Sequence, residues 1–109
     1  MSIGRDFFTA KEGLTIRVLN MNGVTQNREV FEPLVGLTLP AKEVYQSWYE
    51  RSGEGKIPVG GPIEGRVWYQ FTAADVVSAM KEAGRDPGPW ATHDQDLEAL
   101  LPIQSCELV

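Results

Sequence analysis

The residues best equipped for chemistry sit late in the chain, in the run His93, Asp94, Asp96 and Glu98. An imidazole beside carboxylates has the ingredients of a general base or of a weak divalent-cation site. Thr92 with Gln95 reads as a capping box opening a helix through Leu97, Leu100 and Leu101, ended by Pro102. On that helix Asp94 and Glu98 share one face, and His93 and Asp96 another. The plainer reading is that a first helical turn collects carboxylates anyway, because its free N–H groups and the helix dipole stabilise negative charge. A single His also leaves no second imidazole for a zinc site. Cys106 is the only thiol. As a nucleophile it needs a base or a helix N-terminus to lower its pKa, and only His93 offers the base; otherwise it is a small buried hydrophobe.

Other motifs fail on inspection. Gly53-Glu54-Gly55-Lys56 resembles a phosphate loop only in composition, since Ile57 stands where Ser or Thr would hold magnesium. No GxSxG, HExxH, EF-hand loop or CxxC occurs. The sequence therefore implies no catalytic residue, no metal and no cofactor, and directs attention to surfaces.

The stretch best suited to a surface is 44–71, where Trp48-Tyr49 and Trp68-Tyr69 flank a Gly/Pro-rich loop. Six of the ten aromatic residues and five of the eleven glycines lie there. Trp and Tyr beside a pliable loop suit docking, because they bury much area at low rotamer cost. The competing reading makes Tyr45, Val67 and Phe71 ordinary core. Ile57, Val59 and Ile63 are unusual for a solvated linker; they fold back on the core or are exposed for a partner. The candidate partner-binding set is Trp48, Tyr49, Lys56, Ile57, Val59, Ile63 and Trp90, with Asp94, Asp96 and Glu98 as its acidic part.

These residues need a scaffold. Thr9 with Glu12 resembles a capping box for one helical turn ended by Gly13. LTIRVLNM from Leu14 alternates as a half-buried strand. Asn22-Gly23 predicts a two-residue hairpin turn, with VTQNREVFE returning as an edge strand. After Pro33, 34–39 reads as a short strand or a packed connector. Ala41, Val44, Tyr45 and Trp48 recur at spacings of three and four, which predicts a helix over 40–51. RVWYQF (66–71) has the strongest strand composition in the chain. Thr72 with Asp75 caps a helix that buries Val76, Val77, Met80 and Ala83 and stops at Gly84, and IQSCELV is a final strand. The expected fold is α+β: an antiparallel sheet of four to five strands with about three helices packed largely on one face, in a single domain over 1–109.

Composition bounds the function. Hydrophobic content of 42% with 23% charged residues is that of a globular protein. The net charge of -5 is uneven: residues 1–60 hold seven basic and seven acidic residues, and residues 61–109 hold three and eight. That acidic second half disfavours direct nucleic-acid binding and favours a protein partner with a basic surface. No apolar run spans a membrane and no secretion signal opens the chain, which makes the cytoplasm the expected location. The leading expectation is a small non-catalytic protein-binding domain of accessory, adaptor or inhibitor type. The alternatives are a small-ligand-binding domain or enzyme with an aromatic-lined pocket, and an acidic mimic of nucleic acid.

Overall fold

The computed structural model of the chain describes residues 2–61 and 66–109. Its centre is a pair of unusually long antiparallel strands, β1 (Ser2–Val18) and β2 (Thr38–Ser52), paired from Ser2↔Arg51 to Arg17↔Thr38. Around them stand α1 (Arg28–Phe31), β3 (Gly55–Pro58), β4 (Val67–Thr72), α2 (Ala73–Glu82), β5 (Glu98–Pro102) and β6 (Cys106–Leu108). All pairings are antiparallel, and the strands run β5-β4-β2-β1-β6, with β3 beside β2 on the edge that β4 also uses.

Alternation along these strands sorts the sheet into two faces. Ile16, Leu39, Tyr69, Phe71, Ala99 and Leu101 share one face by register, and all are buried. Against it pack Ala73, Val76, Ala79 and Met80 of α2, Leu34 and Leu37 of the β1–β2 connection, and Trp90 from a 3-10 turn over Gly88–Ala91. Each fully buried Ile, Leu or Met side chain contributes about 1.5–3 kcal/mol.

The core cluster stops partway along the long pair: none of its residues comes from 2–13 or 42–61, where Val44 and Ser47 alone are buried. The outer halves of β1 and β2, joined by β3, form a three-stranded ribbon that extends past it. The molecule is accordingly elongated, 49 × 27 × 26 Å. At the root of the ribbon the register slips twice, so that Thr9–Leu14 on β1 faces only Val44–Ala41 on β2. Extra residues of this kind bend a strand, and Gly13 there has φ 68°, open to glycine at no steric cost.

Several expectations hold. The strand at 66–71 is β4, an interior strand that buries Tyr69 and Phe71. The Thr72–Asp75 capping box opens α2: Thr72 Oγ1 accepts from Asp75 N and Asp75 Oδ2 from Thr72 N. Of 34–39, residues 34–37 are a packed connector that buries Leu34 and Leu37, while Thr38 and Leu39 already belong to β2.

The fold class is corrected: among the described residues one sheet carries six strands, and there are two short helices in place of about three. The segment 40–51 is strand β2, since β-branched and aromatic Val44, Tyr45, Trp48 and Tyr49 suit a pleated surface and the segment pairs on both edges. The segment after Thr92 is not helical. Thr92 Oγ1 donates to Pro89 O, Gln95 Nε2 donates to Trp90 O and His93 O, and the chain turns at Asp94–Leu97 into β5. Only five residues separate that turn from the 3-10 turn at Ile103, too few for a stable helix but enough to bury Ala99 and Leu101 against β4. The turn at Asn22-Gly23 exists, with Val24 N donating to Met21 O and Gly23 at φ 82°. It makes no hairpin: 24–34 forms α1 and a 3-10 turn, and β1 pairs instead with β2. The helical seed at Thr9–Gly13 is absorbed into β1.

Candidate functional site

The ribbon divides the candidate residues by face. On the face turned away from α2, Ile3 pairs across to Glu50 and Glu50 to Ile57, while Arg5 pairs to Trp48. Val59 extends β3 by one residue and donates its N–H to Trp48 O at 2.9 Å. Trp48 is 47% exposed, Ile57 51%, Val59 56% and Ile3 69%. Phe7 continues the strip inward and meets the Trp68 ring edge-on at 5.3 Å. The Arg5 guanidinium lies 5.8 Å from the Trp48 ring centre, a cation–π distance that orders the indole without covering it.

The opposite face of the ribbon is held together by its own side chains. Lys56 pairs with Asp6 and places its ammonium 4.8 Å from the centre of the Tyr49 ring. Asp6 Oδ1 also accepts from Phe7 N, and these donors, Lys56 first, hold its carboxyl below the ordinary value. Tyr49 lies across Gly4, where a Cβ would meet the phenol. Ser47, fully buried, donates to Gly60 O and fastens the chain just after β3. Tyr49 and Lys56 thus brace the ribbon on the side away from Trp48, Ile57 and Val59. Ile63 lies outside the described residues.

Trp90 is placed differently from the expected docking anchor. It is 3% exposed, packs edge-on against Phe31 at 5.8 Å and donates its indole N–H to Val30 O at 3.1 Å. A turn built on Pro87, Gly88 and Pro89 delivers it to the core, which its position in a turn concealed.

The carboxylates do not form the expected helical array. Asp94 Oδ1 accepts from Asp96 N inside the turn, and Glu98 starts β5 and accepts from Gln70 Nε2 at 2.7 Å. His93 stands over Trp90 with ring centres 6.2 Å apart. Among the described residues no three His, Cys, Asp or Glu side chains gather as metal ligands. His93 does border a groove of about 640 Å3, which runs between β5 and the loop 23–27 and whose walls include Val30, Phe31, Trp68 and Trp90. No protein-family model, curated protein or solved structure matches this chain.

Cys106 is buried at the start of β6, and it is not among the residues bordering that groove. Burial pushes its thiol up to about 11, and a thiol that high carries little thiolate near neutral pH. Alkylation by iodoacetamide at pH 8 is therefore expected to run about 100-fold slower in the folded chain than in urea, read by mass spectrometry. Because the folded pKa is raised, the associated stability is present below the unfolded value near 9 and is lost as pH rises through about 11. A melting temperature followed from pH 8 to 11 should fall over that window, and Cys106→Ala should flatten the fall.

The sequence alone did not single out Ile3, and it suggested that Phe7 and Phe8 pin their segment to the core; Phe7 is instead 37% exposed and outside the core cluster. Their signal was present in the alternation of Ile3, Arg5 and Phe7, but only the pairing with β2 brings them beside Trp48.

Proposed function

We propose that this chain is a small acidic, non-catalytic protein-binding domain that docks through the outer face of its ribbon. One observation carries the reading: among the described residues, Ile3, Phe7, Trp48, Ile57 and Val59 form an exposed apolar strip on a strand ribbon that extends past the core cluster. Leaving such side chains in water forgoes their burial energy unless another surface covers them. The strip has the composition of an interface centre, with one large aromatic among aliphatics and an Arg alongside. The rest of the molecule supplies long-range attraction. Residues 66–109 hold three basic and seven acidic residues, so a partner with a basic surface is drawn in faster at low salt.

A photo-cross-linking side chain at Ile57, compared with one at Glu82 on α2, tests this in cells that make the protein. The expected result is one stoichiometric protein adduct from position 57, none from 82, and loss of the adduct on Trp48→Asp. Equal labelling at both positions, or an adduct indifferent to Trp48→Asp, rules the strip out. The groove beside His93 favours a second reading, a small-ligand site; a metabolite that raises the melting temperature by mass action would support it.

A further inference from the structure

From the open edge of β5 we infer a second binding site: the groove beside it takes an extended peptide of a partner protein, added as a strand, with a Lys or Arg set against Glu98. Among the described residues β5 pairs with β4 alone, so it ends the sheet. In an antiparallel pair every second residue turns its N–H and C=O away from its neighbour, so part of the Glu98–Pro102 backbone is left to bond a further strand. Five residues at about 3.3 Å each give an edge roughly 17 Å long.

What lies beside that edge decides the occupant. The groove of about 640 Å3 places Val24, Val30 and Phe31 opposite β5, with Trp90 and Trp68 in its walls. Alternate side chains of an added strand would enter this apolar trough while the others face water, which is how strand addition gains sequence selectivity. A compact metabolite would use the trough and leave the backbone edge idle. Charge narrows the choice further. Among the described residues Glu98 is the only Asp, Glu, Lys or Arg bordering the groove, and Asp94 and Asp96 are exposed just before it. The edge is thus acidic at the Glu98 end, and a basic residue at the matching end of the peptide is complementary. The inference does not depend on the ribbon strip, which lies on other residues apart from Trp68.

Heptapeptides displayed on phage and selected on the immobilised full chain are expected to converge on alternating β-branched or aromatic residues with one terminal Lys or Arg. The best of them, made synthetically with a fluorophore, should bind at least tenfold more weakly to Glu98→Lys and to Val24→Arg, and unchanged to Trp48→Ala. Replacing its Lys by Glu should restore binding to Glu98→Lys. N-methylation at alternate residues should weaken binding at least tenfold in one register and little in the other, since only one set of N–H groups faces β5. Circular dichroism melts of each variant separate lost binding from lost folding. Failure to recover such peptides, indifference to both groove variants, or tolerance of N-methylation in both registers would overturn the site. So would sedimentation showing that the groove is closed by a second copy of this chain.

Discussion

Trp90→Ala is expected to destabilise the chain by about 3–5 kcal/mol, the largest effect of any single aromatic truncation here. The indole is almost wholly buried in the core cluster, so its removal leaves a large cavity lined by Phe31 and its neighbours. It also removes the N–H donor to Val30 O, a bond worth about 1 kcal/mol in its own right. Domains of this size have roughly 5–15 kcal/mol in total, so the variant should lose about a fifth of its stability or more. Urea unfolding should show the midpoint lowered by more than about 1 M at an unchanged slope. Trp90→Phe, which keeps most of the volume and loses the donor, should fall between the two. A shift under about 1 kcal/mol, accompanied by loss of partner binding, would return Trp90 to the docking surface.

Why composition left Trp90 open is instructive. Its neighbours Pro87, Gly88, Pro89 and Thr92 are turn formers, and turns lie on surfaces as a rule. What buries the ring is a contact 60 residues away, Trp90 to Val30, which no local pattern contains. The same applies to β2. Ala41, Val44, Tyr45 and Trp48 satisfy a helical spacing and fit a strand equally well, so the pattern was ambiguous at that length. Pairing decided it: β1 on one edge and β3 with β4 on the other satisfy backbone groups along most of the segment, an advantage that helix propensity does not match in a β-branched and aromatic stretch. By contrast, Thr72 to Gly84 was legible because everything that defines α2 is local. Its cap and its terminating glycine, at φ 71°, lie within thirteen residues, and of the expected stripe Val76 and Met80 are buried while Val77 is half-buried and Ala83 exposed.

The candidate site was legible in its residue types and illegible in its geometry. Trp48, Ile57 and Val59 do share a face, as an exposed set should. Tyr49 and Lys56 were grouped with them by nearness in sequence, but alternation in a strand sends Tyr49 to the other side, where Lys56 and Asp6 hold it. Placing 40–51 in a helix made that division invisible, because a helix brings residues 48 and 49 only 100° apart. Asp94, Asp96 and Glu98 were separated for the same reason: a turn and a strand end space them where a helix would have stacked them.

Trp48→Ala is the complementary substitution, with the opposite signature. Against the partner cross-linked at position 57, it should weaken binding at least 30-fold, about 2 kcal/mol, while unfolding stability moves by less than about 1 kcal/mol. The asymmetry follows from where the ring lies: roughly half its surface is in water, the Arg5 guanidinium lies 5.8 Å from its centre, and it belongs to no core cluster. Ile57→Asp should match or exceed it, since burying an unpaired carboxylate against an apolar partner costs more than losing contact area. Tyr49→Phe, on the far face, should leave affinity within about twofold. Raising the salt should slow association with little effect on dissociation, because the acidic body steers the encounter and the apolar strip holds the complex. Isothermal titration and surface-bound kinetics on these variants separate the two contributions. Should Trp48→Ala cost folding stability and spare binding, the ribbon would be a packing device, and the acidic body alone would have to account for recognition.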